Sequence, residues 1–161
     1  MVFKWPGTSP TLPHVLLNGH YDVVPPGDLD KWTHPPFEAT CKDDVIRGRG
    51  IQDMKSVIAQ YISSLHRLAT SGFTPSRTII MTLVPDEEIG GAGMADYLAS
   101  DFFKSNGGVE GVGIALDEGL ASENDVYNVY YGTSPTIFPP PNHPPLSHVT
   151  CDDSSLAQGC L

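Results

Sequence analysis

Basic residues are scarce in this sequence: nine lysines and arginines stand against nineteen aspartates and glutamates, a formal net charge of −10 at pH 7. A surface that binds phosphates needs clustered cations, so this balance excludes nucleic acid and anionic membrane as partners. Cysteine is also scarce. Cys41, Cys151 and Cys160 follow neither a zinc-ligand nor a disulfide spacing, which points to reduced thiols and a cytoplasmic setting. The segment Met1–Gly7 lacks the charged and apolar regions of a signal peptide, no apolar run approaches membrane-spanning length, and there is no internal repeat. What remains is the pattern of a soluble protein in which acidic groups outnumber their partners. Carboxylates gathered at one place repel each other, and divalent cations are the usual relief of that repulsion.

The strongest stretch is Thr78-Ile79-Ile80-Met81-Thr82-Leu83-Val84, followed by Pro85-Asp86-Glu87-Glu88-Ile89-Gly90-Gly91. An apolar, β-branched run stopped by proline predicts a buried strand over 77–84 that ends in an acidic turn. In extended chain Glu87 and Glu88 point to opposite sides, so they share a site only by doing different jobs, one holding a metal and the other handling a proton. A solvated acidic turn is the alternative. Upstream, residues 2–6 and 14–19 read as two short strands with Gly7-Thr8-Ser9-Pro10 as the turn between them. The second runs into His20-Tyr21-Asp22, where period two puts the imidazole and the carboxylate on one face. That suits a metal ligand and its orienting partner, or a surface turn. A loop over 28–42 carries Trp32 and His34-Pro35-Pro36-Phe37, whose rings are expected to pack under the site, with His34 no ligand.

In Arg47-Gly48-Arg49-Gly50-Ile51-Gln52-Asp53-Met54-Lys55, Asp53 stands where a helix begins, as a ligand or as a plain cap. Met54, Val57, Ile58, Tyr61, Ile62, Leu65 and Leu68 recur every three or four residues and Gly72 ends the pattern, which predicts a helix with a core-facing stripe. Strand, helix and strand in succession make a βαβ unit, in which sites collect at the carboxyl ends of strands. A second helix is expected over 92–105. Val112–Leu116 reads as another strand ending in Asp117-Glu118, and Val126–Tyr131 as one more. From Thr133 onward the chain is proline-rich (Pro135, Pro139, Pro140, Pro141, Pro144, Pro145) and lacks either period, so a disordered tail is expected over 133–161 after a globular part over 1–132. His20, Asp22, Asp53, Glu87, Glu88 and Glu118 thus fall at strand ends or a helix start. Mixed imidazole and carboxylate ligation suits Zn²⁺ or a neighbouring divalent ion over Ca²⁺.

Leu17-Asn18-Gly19-His20-Tyr21-Asp22-Val23-Val24-Pro25, the Trp32 to Ala39 element, Arg47–Lys55, Val84–Gly91 and Ala115-Leu116-Asp117-Glu118-Gly119 together resemble the M20 metallopeptidase family, and within it the branch that hydrolyses N-acyl amino acids. The resemblance implies an α/β catalytic domain, a mixed sheet flanked by helices, here partial. It implies two zinc ions: His20 and Glu118 on one, Glu88 on the other, and Asp53 bridging both. Asp22 would orient His20, and Glu87 would be the general base in hydrolysis of small N-acyl-L-amino acids by metal-activated water. Dipeptidase or carboxypeptidase action within the same family is the alternative on substrate. The family's domain begins upstream of the position matching Met1. Its lid and dimerisation domain and a last histidine ligand would follow the position matching Tyr131, where this chain continues into its proline-rich tail. The resemblance therefore implies a chain truncated at both ends and unable to form the family's homodimer. Its second metal site would be incomplete, since nothing aligns His143 or His148 with the missing ligand, and a remnant without activity is the remaining alternative.

Overall fold

The computed structural model describes residues 1–119, together with Val126 and Val129. Residues through Glu118 form one compact unit, and a second begins at Gly119. The strand expected over Val126–Tyr131 and the tail over 133–161 lie outside the described residues, Val126 and Val129 excepted; these two are exposed and in no regular element.

The first unit is built on a four-stranded sheet. Strand β1 is Val2–Trp5, β2 is His14–His20, β5 is Ile79–Val84 and β6 is Val112–Leu116, in the spatial order β1-β5-β2-β6. Strands β5, β2 and β6 are mutually parallel, while β1 runs antiparallel to β5 at the edge, so the sheet is mixed, as expected. The central strands read as continuous apolar runs because both their faces are covered. Their pairing aligns Leu16 with Ile80, Asn18 with Thr82 and His20 with Val84.

Helices lie on both faces. Helix α1, Ser56–Thr70, connects β2 to β5, and its Ile58 packs against Gly19 of β2. Helices α2, Ala92–Ala99, and α3, Asp101–Ser105, cover the other face, where Leu16, Ile80, Tyr97 and Phe103 make the core with Met94, Leu98, Phe102 and Val112 packed around them. Period two puts Leu16 and Gly19 on opposite sides of β2, which gives the three-layer arrangement. The single helix expected over 92–105 is two: the chain turns extended at Ser100 (ψ 152), whose hydroxyl accepts the Phe103 N–H and caps α3.

Three local expectations are corrected. The apolar stripe is core only in part: Met54, ahead of α1, is fully buried and Val57, Ile58, Tyr61 and Leu65 are half-buried, but Ile62 and Leu68 are exposed. Thr40–Lys42 and Val45–Arg47 form a hairpin, β3 and β4, closed by Asp43 and Asp44 with φ of 54° and 58°. Both turn residues thus adopt the left-handed conformation that a two-residue hairpin needs and that aspartate tolerates. Phe37 is exposed and does not pack under the site, and Trp32 is half-buried, donating its Nε1–H to the Pro26 carbonyl at 2.9 Å beneath the Arg49 guanidinium. No helix among the described residues is long and apolar enough to cross a membrane.

Candidate metal centre

The three parallel strands all end on one edge of the sheet. His20 closes β2, Pro85 to Glu88 follow β5, and Asp117 and Glu118 follow β6. The crevice beyond the carboxyl ends of parallel strands is where such sheets bind ligands, because there the chain leaves the ladder and its side chains are free to converge.

His20 is the centre of the cluster and is almost wholly buried. Its backbone N–H points at the sulfur of Met54, 3.2 Å away, and its ring is held from both nitrogens. On one side Nδ1 lies 3.3 Å from Asp22 Oδ1. On the other, Nε2 faces three carboxylates: Asp53 at 3.1 Å, Glu118 at 3.3 Å and Glu87 at 3.9 Å. Asp22 does more than face the ring, since its two oxygens accept the backbone N–H groups of Glu87 and Glu88 at 3.3 and 3.2 Å. One carboxylate therefore ties the end of β2 to the turn after β5.

That turn departs from the extended geometry that would send Glu87 and Glu88 to opposite sides. Asp86 adopts φ 64°, bending the chain so that both following N–H groups meet Asp22 and both side chains reach the cluster. The Glu88 carboxylate also accepts the Val24 N–H at 3.2 Å. Asp53 is carried by an irregular turn ahead of α1, not by the helix itself: its φ and ψ of −112° and 97° are non-helical, and the Asp53–Met54 peptide is cis. The cap position of α1 is Lys55, with no side-chain capping bond, so Asp53 is not the helix cap; its Oδ1 lies 3.1 Å from His20 Nε2 instead. Gly50 opens this turn at φ 78°, where a Cβ would collide with Val23.

Packing this many acids around one imidazole changes their protonation. Burial alone would lower His20, but the charges of Glu118 and Glu87, the hydrogen bond to Asp53 and the charge of Asp22 outweigh it and hold the imidazole above its ordinary value. Burial and the neighbouring Asp53 carboxylate push Glu118 up to about 8. Glu87 is raised by burial against the opposing charge of His20. Asp22 alone is lowered: burial works against its charge, but the N–H groups of Glu88 and Glu87 stabilise the anion more.

Two overlapping groups have donor atoms that all lie within 4.8 Å of one another: His20, Glu87 and Glu118, and His20, Asp53 and Glu88. One nitrogen with two carboxylate oxygens fits a divalent transition metal ion. Both groups share the His20 imidazole, whose Nδ1 is engaged by Asp22. His34 lies outside both, half-buried beside the Thr33 hydroxyl.

Four residues the sequence did not single out stand behind the cluster: Asn18, Thr82, Asp117 and Tyr61, joined by hydrogen bonds. The available signal was Thr82, a hydroxyl inside an apolar run, since a polar side chain buried in a strand requires a partner.

Residues 16–147 match the model of peptidase family M20/M25/M40. Among curated proteins the chain is 48% identical over 132 residues to aminoacylase-1 of Sus scrofa, covering 81% of this chain and 31% of that protein. It is 46% identical to the Homo sapiens aminoacylase-1 over the same length and coverage, and 42% identical to that of Dictyostelium discoideum over 136 residues, 82% of this chain and 32% of the relative. The chain thus spans about a third of the length of these relatives. In fold it resembles the di-peptidase Dug1p from Saccharomyces cerevisiae, with a TM-score of 0.63 and 24% identity over 81% of this chain and 27% of the other. Human carnosine dipeptidase 1 gives a TM-score of 0.62 and 21% identity at the same coverage.

Proposed function

This chain belongs to peptidase family M20/M25/M40, and from that premise we propose that it is a zinc-dependent hydrolase of the aminoacylase type, cleaving N-acyl-L-amino acids into a carboxylate and a free amino acid. The observation that carries this reading is the convergence of His20 Nε2 with Asp53, Glu118 and Glu87 within 3.1 to 3.9 Å, from residues far apart in the chain. The curated relatives named aminoacylase-1 support the choice of substrate.

His20 and Glu118 would hold one cation and Glu88 a second, with Asp53 shared between them. A divalent cation bound there supplies Lewis-acid polarisation of an amide carbonyl and acidification of water. Asp22 holds the His20 ring at Nδ1 through its main-chain carbonyl at 3.2 Å and its carboxylate at 3.3 Å, which turns Nε2 toward the other acids. Glu87 is the most exposed of the three glutamates in the cluster, and burial holds it above its ordinary value, which suits a group that takes a proton from water and passes it to the leaving amine nitrogen. Because the described cluster contains a single imidazole, one tightly held ion per chain is expected.

Two measurements on the purified chain test this together: zinc content by mass spectrometry and release of methionine from N-acetyl-L-methionine. Glu87→Gln should lower turnover by about 10²- to 10⁴-fold, the usual contribution of a general base, with zinc content unchanged. Loss of zinc in that variant would instead make Glu87 a ligand, the role its place beside His20 and Glu118 also allows. A second reading, a chain that binds one cation without turning over substrate, is favoured by the single imidazole that the cluster holds among the described residues. Stoichiometric zinc with no hydrolysis of acyl amino acids or dipeptides would establish it, and cleavage of dipeptides alone would move the substrate to that class.

A further inference from the structure

We propose that Thr82, Asn18 and Asp117 form a positioning clamp that fixes the Glu118 carboxylate opposite His20. The proposal rests on the reading of Glu118 as a metal ligand. Strand β6 makes its last ladder pair at Leu116, opposite Leu17, so no sheet hydrogen bonds hold the chain where Glu118 must be aimed. Side chains take over. The Glu118 N–H donates to Asp117 Oδ1 at 3.0 Å, and Asp117 Oδ2 accepts from Asn18 Nδ2 at 3.0 Å. Asn18 Oδ1 in turn accepts the hydroxyl of Thr82 at 2.7 Å, and the Tyr61 hydroxyl donates to the Asp117 carbonyl at 3.3 Å.

The chain of bonds has one possible direction. An ionised carboxylate only accepts, so Asn18 must turn its NH₂ toward Asp117 and its oxygen toward Thr82, whose hydroxyl must then donate. Thr82 is fully buried and directly opposite Asn18 across β2 and β5, which locks the amide. The result is a link from the rigid centre of the sheet to the backbone of Glu118. Such outer partners set the orientation of a ligand and hence the affinity for the ion.

Titration of the purified chain with Co²⁺, followed by its visible absorption, reads both affinity and coordination. Asn18→Ala and Thr82→Val change no charge. Asn18→Ala is expected to weaken Co²⁺ binding by about 10- to 100-fold and to alter the absorption bands, with a smaller loss in Thr82→Val. Thr82→Ser, which restores the hydroxyl, should return both affinity and spectrum to those of the unaltered chain, a rescue that a packing defect would not give. Far-ultraviolet circular dichroism identifies any variant that fails to fold, in which case the Thr82→Val and Thr82→Ser pair decides. Wild-type affinity and spectrum in Asn18→Ala and Thr82→Val, while Glu118→Gln weakens binding, would overturn the clamp and leave the metal centre standing. No Co²⁺ uptake by the unaltered chain, or full affinity in Glu118→Gln, would overturn the role of Glu118 and the clamp with it.

Discussion

Without a cation, Glu118 is the carboxyl furthest from its ordinary protonation, held up to about 8 by burial and by Asp53 against a usual 4.5. The linkage has a definite sign. Above 4.5 the unfolded chain gives up this proton while the folded one retains it, so the metal-free protein loses stability as pH rises from about 4.5 to about 8. His20 acts in the same sense: its raised value stabilises the fold below 6.5, and that contribution is lost as pH climbs through the folded value. Asp22, lowered by the N–H groups of Glu88 and Glu87, works the other way and matters only as pH falls into the acid range. Urea denaturation of chelator-treated protein should therefore show a declining midpoint between pH 5 and 8, and Glu118→Gln should flatten the decline and raise the midpoint at pH 8. The same protons oppose coordination, since a metal ligand must be deprotonated. Calorimetry of Zn²⁺ binding at pH 7, in two buffers of different ionisation enthalpy, is expected to show net proton release that shrinks toward pH 9.

At the scale of elements, the turn from Gly50 to Lys55 delivers Asp53, and its geometry depends on a residue without a side chain. Gly50 sits at φ 78° with Val23 against the position of a Cβ, and its carbonyl accepts the Lys55 N–H at 3.1 Å. Gly50→Ala should cost more than the roughly 1 kcal/mol of an ordinary left-handed alanine, because the collision adds to the backbone strain, and it should also weaken Zn²⁺ binding by displacing Asp53; thermal melts with and without zinc measure both. Strands β2, β5 and β6 and helix α1 were legible in the sequence because each is a long apolar or periodic run with a clear stop. The hairpin β3–β4 was not, since three-residue exposed strands carry no burial pattern and its only mark is Asp43-Asp44. The split between α2 and α3 turns on the Ser100 cap, which a helical apolar period passes over. The cluster residues could be placed at strand ends from sequence. Their distances, and the Thr82–Asn18–Asp117 link, could not, because the partners are separated by 64 and 99 positions and meet only through strand register.

At the scale of the molecule, apolar surface lies open on the described unit. Ile62, Leu68 and Phe73 are exposed at and beyond α1, and Ile114 and Leu116 on β6, itself an outer strand of the four. Unpaired strand edges and exposed apolar side chains favour association between copies, while a net charge of −10 opposes it. Sedimentation velocity is expected to show concentration-dependent self-association that strengthens with added salt, which screens the repulsion; a monomer unchanged up to high salt and concentration would show that the charge prevails. The sheet order also carries a consequence for biosynthesis. Strands β1, β2 and β5 leave the ribosome early and are neighbours in the finished sheet, whereas β6, which brings Glu118, emerges after both helices of the opposite layer and must dock along the free side of β2. On the proposed role of Glu118, a nascent polypeptide that has already paired its middle strands still has an open coordination sphere, which closes only once β6 arrives.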